Sequence, residues 1–213
     1  MTKSNIIFTG SLKRGEIGEE IFISSLAGSK AVKKVYDVRS SAKYQDTDID
    51  FVVDFWHKSK LAGSARVSVE LKTDFTCYQN LYYERYSCYE MRTAGCMEKT
   101  QSDVLVYYYI RKKFFYMLKT DTFRAWVHAH SEDFIKNFKP ERGRNGIYHK
   151  AGLLIPTSSI DAAFESGEIS GKKVQVSDAF SRKRLKLLDA TSLRKIEALH
   201  DKRKIRNAFD DME

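Results

Sequence analysis

Residues 66–72 read RVSVELK, and residues 48–55, on the other side of a polar turn, read DIDFVVDF. Both segments alternate apolar and polar side chains, which is the period of a half-buried β-strand. If the hairpin is symmetric about the turn HKSKLAGS, position 50 lies opposite position 70. Matching the apolar faces of the two strands then places Asp50, Glu70 and Lys72 on one common face.

The alternation in residues 48–55 predicts which side chains pack beside Val67, Val69 and Leu71 of the other strand. The expected apolar face carries Ile49, Phe51, Val53 and Phe55, and the expected opposite face carries Asp48, Asp50, Val52 and Asp54.

The facing carboxylates of Asp50 and Glu70 predict a cation site. Residues directly opposite each other have Cβ atoms ~5 Å apart, so two carboxylates there repel unless a positive charge lies between them. Oxygen ligands select hard ions such as Mg²⁺ or Mn²⁺. Such an ion lowers the pKa of a bound water and stabilises charge on a phosphate, and Lys72 can assist either step. The alternative is a solvated strand face on which Glu70 and Lys72 form a weak ion pair.

The flanking sequence predicts an α/β core around the hairpin. Residues 15–30 have helical spacing of apolar side chains, and residues 33–39 form the strand before the hairpin. Residues 73–103 fit a helix by their tyrosine spacing and a strand by their aromatic content, so both alternatives stay open. Further strands are expected at 103–110 and 113–118, and a helix at 121–138.

Composition restricts the class of protein and of partner. The chain has 213 residues, 42% of them hydrophobic, and a net charge of +9, which favours an anionic partner such as nucleic acid. Its three cysteines lack paired spacing, so neither a disulfide framework nor a zinc site is expected. Since no apolar run approaches the ~20 residues of a membrane span, we expect a soluble, intracellular, cytoplasmic protein.

The composition shifts after Pro140, which divides the chain into a predicted core at 1–140 and a basic helical C-terminal extension at 141–213. Basic side chains in the extension could hold a phosphate backbone without reading sequence. An ordinary solvated helix face is the alternative. The predicted nucleic-acid-binding residues are Arg182, Lys183, Arg184, Lys186, Arg194, Lys195, Lys202, Arg203, Lys204 and Arg206.

A helix with Glu19, a strand with Asp50 and a strand reading Glu70-Leu71-Lys72 together resemble the PD-(D/E)-x-K nuclease superfamily. Ile49 stands where the eponymous proline of the family would be. The resemblance covers residues 15–120 and implies a restriction-endonuclease-like core, with a mixed central sheet in αβββαβ order flanked by helices, as in Holliday-junction resolvases. A phage or mobile-element origin, and hence the host cytoplasm, is part of the same implication.

The resemblance implies a metal-dependent DNA endonuclease in which a metal-activated water hydrolyses phosphodiester bonds. The implied ligands of one or two Mg²⁺ or Mn²⁺ ions are Asp50, Glu70, the carbonyl of Leu71 and Glu19, and Lys72 assists catalysis. Helical angles place Glu19 and Glu20 on opposite flanks of the apolar face, so the sequence does not separate them.

A looser resemblance to phage-encoded relatives implies auxiliary roles for residues that follow the hairpin. Asn80, Glu84 and Asp103 would shape the site or pack its floor, and surface and capping roles are the alternative. Separately, Glu20, Asp48 and Asp74 are further candidate auxiliary carboxylates. Three functional alternatives also stay open: a catalytically inactive DNA-binding or regulatory protein of the same fold, an RNA nuclease and an exonuclease. Cutting both strands with one site per chain would favour a homodimer.

Overall fold

A computed structural model describes residues 15–26, 29–75, 78–137, 148–176 and 188–189. Within this part the chain is mixed α/β, with a mixed central sheet flanked by helices and a second, smaller sheet. The helices are 15–26 (α1), Ala42–Gln45 (α2), Cys96–Lys99 (α3), Thr120–Ala129 (α4) and Thr157–Ser166 (α5). The strands are Val32–Asp37 (β1), Phe51–Phe55 (β2), Arg66–Asp74 (β3), Asn80–Cys88 (β4), Thr93–Ala94 (β5), Val104–Tyr109 (β6), Phe114–Lys119 (β7), Ile135–Asn137 (β8), Ala151–Pro156 (β9), Gly171–Gln175 (β10) and Leu188–Asp189 (β11).

The central sheet has seven strands in the order β10-β7-β6-β3-β2-β1-β11. Strands β1, β2 and β3 form an antiparallel meander, and β6 then pairs with β3 in parallel. The parallel step requires a crossover, and here β4, β5 and the short helix α3 lie between the two strands in sequence. The chain therefore follows helix, three strands, helix, strand, with α2, β4 and β5 added to that order.

The register of the β2–β3 hairpin is the predicted one. Phe51 pairs with Val69 and Val53 with Val67, so the next position along each strand brings Asp50 beside Glu70. The prediction of a hairpin symmetric about residue 60 is confirmed.

Ile49 lies on the opposite face from the one that simple alternation predicts. It packs with Tyr36, Val38, Tyr44 and Val52, whereas Phe51 and Val53 pack with the α1 side. The cause is local: Asp48 has φ +48°, and β2 begins only at Phe51, so the period of two does not extend back to Ile49. The predicted side of Ile49 was therefore wrong.

Helix α1 covers one face of the central sheet. Its Phe22 contacts the rings of Phe51 and Phe115, with centroid distances of 6.0 and 5.6 Å. Gly18 allows a close approach at the end of β3, because a Cβ there would lie 2.1 Å from Oγ1 of Thr73. The start of α1 is thereby held against the carboxyl end of β3.

The other face of the central sheet packs against the second sheet, whose strand order is β5-β4-β9-β8. Leu81 and Tyr83 of β4 join Leu105 and Tyr116 of the central sheet in one buried cluster. In the segment 73–103, for which helix and strand were both open, the tyrosine-rich part Asn80–Cys88 is a strand and Cys96–Lys99 is a short helix. The chain after residue 140 contributes β9 to the second sheet and β10 to an edge of the first.

Helix α4 is shorter than the sequence predicts. It ends at Ala129 rather than near residue 138, and Ile135–Asn137 pairs with β9 instead. The prediction of helix through residue 138 was therefore wrong. Among the described helices, none combines the length and the apolar character that crossing a membrane requires.

Candidate active site

The topology brings three strand ends to one edge of the central sheet. Strands β1 and β3 run parallel to each other with β2 antiparallel between them, so the ends of β1 and β3 meet the start of β2. Asp37 ends β1, Asp50 precedes β2, and Glu70 and Lys72 lie in the second half of β3. Four charged side chains from three strands therefore share this edge.

Asp50 is held in place by the backbone of the neighbouring strand. Its own N–H donates to the carbonyl of Val69 at 2.9 Å, and its Oδ2 accepts the N–H of Leu71 at 2.8 Å. The first bond fixes the Asp50 backbone and the second orients its carboxylate, so the side chain is held towards β3.

Glu70 is a buried carboxyl between a cation and another carboxyl. The residue is only 3% exposed, and its Oε1 lies 2.5 Å from Nζ of Lys72. Burial raises the pKa of Glu70 to about 8; Lys72 opposes the rise, and the charge and hydrogen bond of Asp50 add to it. Two carboxyls can share a hydrogen bond only when one is protonated, so this pair holds a proton or attracts a cation.

Lys72 remains a cation in this environment. Burial acts to lower its pKa, but Cys96, Glu70 and Asp50 together raise it above the ordinary value for lysine. Burial raises the pKa of the neighbouring Cys96 thiol to about 11, which keeps the thiol neutral near pH 7. A lysine of raised pKa donates charge and hydrogen bonds and is a poor general base.

Glu19 and Glu20 have different surroundings. Glu19 is half-buried and forms an ion pair with Nη1 of Arg39, whereas the adjacent Glu20 is exposed. The structure thus separates the two glutamates that helical angles left equivalent. Arg39 links Glu19 to the sheet, because it also binds Asp37 and interacts electrostatically with Asp50.

Asp37 and Arg39 were missed by the sequence reasoning. The Arg39 guanidinium donates to both oxygens of Asp37, from Nε to Oδ1 at 2.9 Å and from Nη2 to Oδ2 at 2.5 Å. The N–H of Val38, between Asp37 and Arg39, donates to the Asp50 carbonyl at 3.1 Å, so the end of β1 adjoins Asp50. Burial raises the pKa of Asp37, the N–H of Arg39 opposes the rise, and the charge of Asp50 adds to it. The sequence does show Asp37 and Arg39 two residues apart at the end of a predicted strand. That spacing indicates a site only once β1 is known to pair with β2, with Asp37 opposite Phe51.

The predicted auxiliary residues separate into two groups. Glu84 is close to Lys72 through Cys96: it accepts the N–H of Cys96 at 3.5 Å, and Nζ of Lys150 donates to it at 2.7 Å. Asp74, two residues after Lys72, accepts a bond from the Tyr107 hydroxyl at 3.4 Å.

The remaining auxiliary residues contact other parts of the chain. Asp48 lies 3.7 Å from Nζ of Lys99, and Asn80 begins β4 opposite Pro156. Asp103 accepts bonds from the backbone and hydroxyl of Ser68, both at 2.7 Å, so it joins β6 to β3. Their auxiliary roles remain predictions.

The donor chemistry at this edge suits a hard cation only in part. Within the described ranges, no group of three or more His, Cys, Asp or Glu side chains is arranged to hold a metal ion. Asp50 and Glu70 provide two adjoining carboxyls, and a shared cation would relieve the cost of keeping both charged. Leu71 could contribute only its carbonyl, because its side chain packs on the α1 face.

The predicted nucleic-acid-binding residues lie outside the described part of the chain, since all of them fall within 182–206. Their role stays a prediction. Comparisons of the chain with protein-family models, with curated proteins and with solved structures found no match.

Proposed function

We propose that the protein is a Mg²⁺- or Mn²⁺-dependent DNA endonuclease with a restriction-endonuclease-like core. The observation that carries the proposal is the cluster of Asp50, Glu70 and Lys72 at the β2–β3 hairpin. Asp50 accepts the N–H of Leu71 and adjoins Glu70, and Nζ of Lys72 lies 2.5 Å from Oε1 of Glu70. The three residues come from two strands, and one of the two carboxyls is buried. This is the arrangement that the D and E-x-K elements of the resembled family would require.

The burial of Glu70 supports a cation-binding role over a solvated strand face. A surface Glu–Lys pair would leave both groups in water and would contribute little. Here the Glu70 carboxyl has lost its water, its pKa is raised to about 8, and a second carboxyl adjoins it. A site that holds two carboxyls together at this cost is typical of functional sites.

Each side chain has a separate task in the proposed reaction. Asp50 and Glu70 would hold the divalent ion, which supplies an activated water and Lewis-acid stabilisation at the phosphate. Leu71 fixes the orientation of Asp50 through its N–H. Lys72, protonated because of its raised pKa, would neutralise charge that develops on the phosphate oxygens.

DNA is the proposed substrate because of charge and of the resemblance together. The net charge of +9 favours a polyanion, and the basic residues between 182 and 206 would add affinity that falls with salt. Cutting of both strands of a duplex would suit a homodimer with one site in each chain.

A non-catalytic DNA-binding protein of the same fold is the second candidate. Two observations favour it: Glu70 is already paired with Lys72, and Glu19 is already paired with Arg39. In such a protein these pairs would stabilise the sheet edge and would not be exchanged for a metal ion.

A plasmid nicking assay with and without Mg²⁺ separates the two candidates. The parent protein is compared with Lys72→Ala and Asp50→Asn, and Asp54→Asn, four residues after Asp50, is the matched control. An endonuclease nicks the plasmid only with the divalent ion and loses activity in the first two variants alone. Binding of DNA without any Mg²⁺-dependent cleavage by the parent would overturn the enzyme proposal. The same assay on structured RNA and on linear ends tests the RNA-nuclease and exonuclease alternatives.

A further inference from the structure

Arg39 interacts with three carboxylates that come from three different elements. It pairs with Glu19 of α1 and binds both oxygens of Asp37 at the end of β1. Its charge also interacts with that of Asp50, whose carbonyl accepts the N–H of Val38, the residue before Arg39, at 3.1 Å. Its own N–H donates to Asp37 Oδ1 at 3.2 Å as well. A single guanidinium therefore joins the helix to the edge of the sheet.

The position of Arg39 is well defined by its surroundings. Its guanidinium carbon lies 5.2 Å from the ring centroid of Phe51, and its side chain is 34% exposed. Burial lowers the pKa of the guanidinium, while Asp50 and Glu16 act to raise it. Since arginine does not lose its proton in proteins, the group remains a fixed positive charge.

Carboxylates outnumber cations at this edge among the described residues. Glu16, Glu19, Asp37 and Asp50 lie around Arg39, and Glu70 adjoins Lys72. Lys72 is occupied with Glu70, so Arg39 is the positive charge that balances Glu19 and Asp37. Without it, like charges from α1, β1 and β2 would repel each other.

We propose that Arg39 is the resident counter-ion of the candidate active site and competes with a divalent cation for the carboxylates at this edge. The inference rests on the proposed function in one respect, namely that a divalent cation binds beside Asp50. Arg39 is thus a positioning residue: it holds Glu19 and Asp37 at the edge, and its charge sets how tightly the site takes up the ion.

The charge of Arg39 is expected to weaken binding of the divalent cation. A unit positive charge near a cation site weakens binding by Coulomb repulsion, and it also neutralises the carboxylates that attract the ion. Arg39→Gln removes this charge and keeps a polar side chain. Arg39→Lys keeps the charge and loses the fork that binds both oxygens of Asp37.

Calorimetric titration with Mn²⁺, in the absence of DNA, tests the proposal on the full chain. We expect Arg39→Gln to bind Mn²⁺ about fivefold more tightly than the parent, and Arg39→Lys to stay within about twofold of it. Equal or weaker binding by Arg39→Gln overturns the proposal, as does tighter binding by both variants. If neither the parent nor Arg39→Gln binds Mn²⁺, the proposal also fails.

A measurement on the unmodified protein keeps the test valid if Arg39→Gln does not fold. The Arg39 side-chain Nε–H resonance is followed by NMR during titration with Mg²⁺. We expect it to shift with the same midpoint as cation binding, and a resonance that stays unchanged while Mg²⁺ binds contradicts the inference.

These readouts are independent of cleavage. Competition for Mn²⁺ in a protein that never cuts DNA supports the counter-ion role and rejects the nuclease. Metal-dependent cleavage together with a Mn²⁺ affinity that Arg39→Gln does not change supports the nuclease and rejects the counter-ion role.

Discussion

The backbone N–H of Leu71 donates a 2.8 Å hydrogen bond to Oδ2 of Asp50 across the β2–β3 hairpin. The bond joins the two sequence motifs that make the candidate site, because Leu71 is the central residue of Glu70-Leu71-Lys72. It orients the Asp50 carboxylate without using a charged partner. The charge of Asp50 is therefore still available to a ligand and to its neighbour Glu70.

Asp50→Asn is expected to preserve the fold and abolish cleavage. The asparagine carbonyl can still accept the Leu71 N–H, and asparagine has nearly the size of aspartate, so the free energy of unfolding should change by no more than about 1 kcal/mol. Loss of a carboxylate ligand should slow cleavage by about 100-fold or more. Urea unfolding and plasmid nicking measure the two effects.

Asp54→Asn is the matched control for that variant. Asp54 lies in β2, four residues after Asp50, but its oxygens bind Nε and Nη2 of Arg66 at 2.7 and 3.1 Å, and it accepts the Tyr36 hydroxyl. We expect it to lower the free energy of unfolding by about 1 to 2 kcal/mol and to leave cleavage unchanged. Equal loss of cleavage in both variants would mean that Asp50 acts only through stability.

Lys72→Met is expected to separate DNA binding from catalysis. Methionine preserves most of the side-chain volume and removes the charge that the Cys96, Glu70 and Asp50 environment maintains. Cleavage should fall by about 100-fold or more, whereas DNA affinity measured with Ca²⁺ should change by less than about threefold, because one charge among many contributes little to it.

Lys72→Arg serves as the charge-preserving comparison. It should retain more cleavage than Lys72→Met if the role of Lys72 is electrostatic. If both variants cleave as the parent does, Lys72 has no part in catalysis.

The hairpin could be predicted from sequence because the information is local. The alternation in 48–55 and 66–72, together with one turn, determines the register that places Asp50 beside Glu70, and the structure has that register. The predicted side of Ile49 was wrong because the positive φ of Asp48 interrupts the alternation just before the strand begins.

The contribution of β1 to the site could not be predicted in the same way. Asp37 and Arg39 reach Asp50 only because β1 pairs with β2 in the register that places Asp37 opposite Phe51. No turn of defined length sets that register, since α2 and its flanking loops separate the strands. Glu19 could be distinguished from Glu20 only by its ion pair with Arg39, which the sequence does not reveal.

Gly18→Ala is expected to disturb the contact between α1 and β3. The added Cβ would lie 2.1 Å from Oγ1 of Thr73, so the helix or the strand end must move. We expect a loss of about 1 to 3 kcal/mol in the free energy of unfolding, from overpacking that outweighs the better helix propensity of alanine. The measurement is urea unfolding followed by circular dichroism.

Gly15→Ala is the control for Gly18→Ala in the same helix. A Cβ at Gly15 meets nothing within 4 Å, so alanine there should be neutral or slightly stabilising. If Gly18→Ala is equally harmless, α1 does not approach β3 as closely as the structure has it, and Glu19 need not face Arg39.

The raised pKa of Glu70 predicts how stability depends on pH. Burial first, and then Asp50, raise its pKa from the ordinary 4.5 to about 8 in the folded protein. Between these values the folded state binds a proton that the unfolded state has lost, so the contribution of Glu70 is fully present below pH 4.5 and is lost as pH rises through 8. Glu70→Gln has no such titration.

The free energy of unfolding should therefore depend on pH more steeply in the parent than in Glu70→Gln. From pH 5.5 to 9, without divalent ions, the free energy of unfolding of the parent should fall relative to that of Glu70→Gln by on the order of 3 kcal/mol and then level off. Urea unfolding of both proteins at half-unit pH intervals measures this difference. Parallel curves would show that Glu70 is ionised at neutral pH in the folded protein, stabilised by Lys72 alone, and the case for a carboxyl pair that needs a further cation would lose its main support.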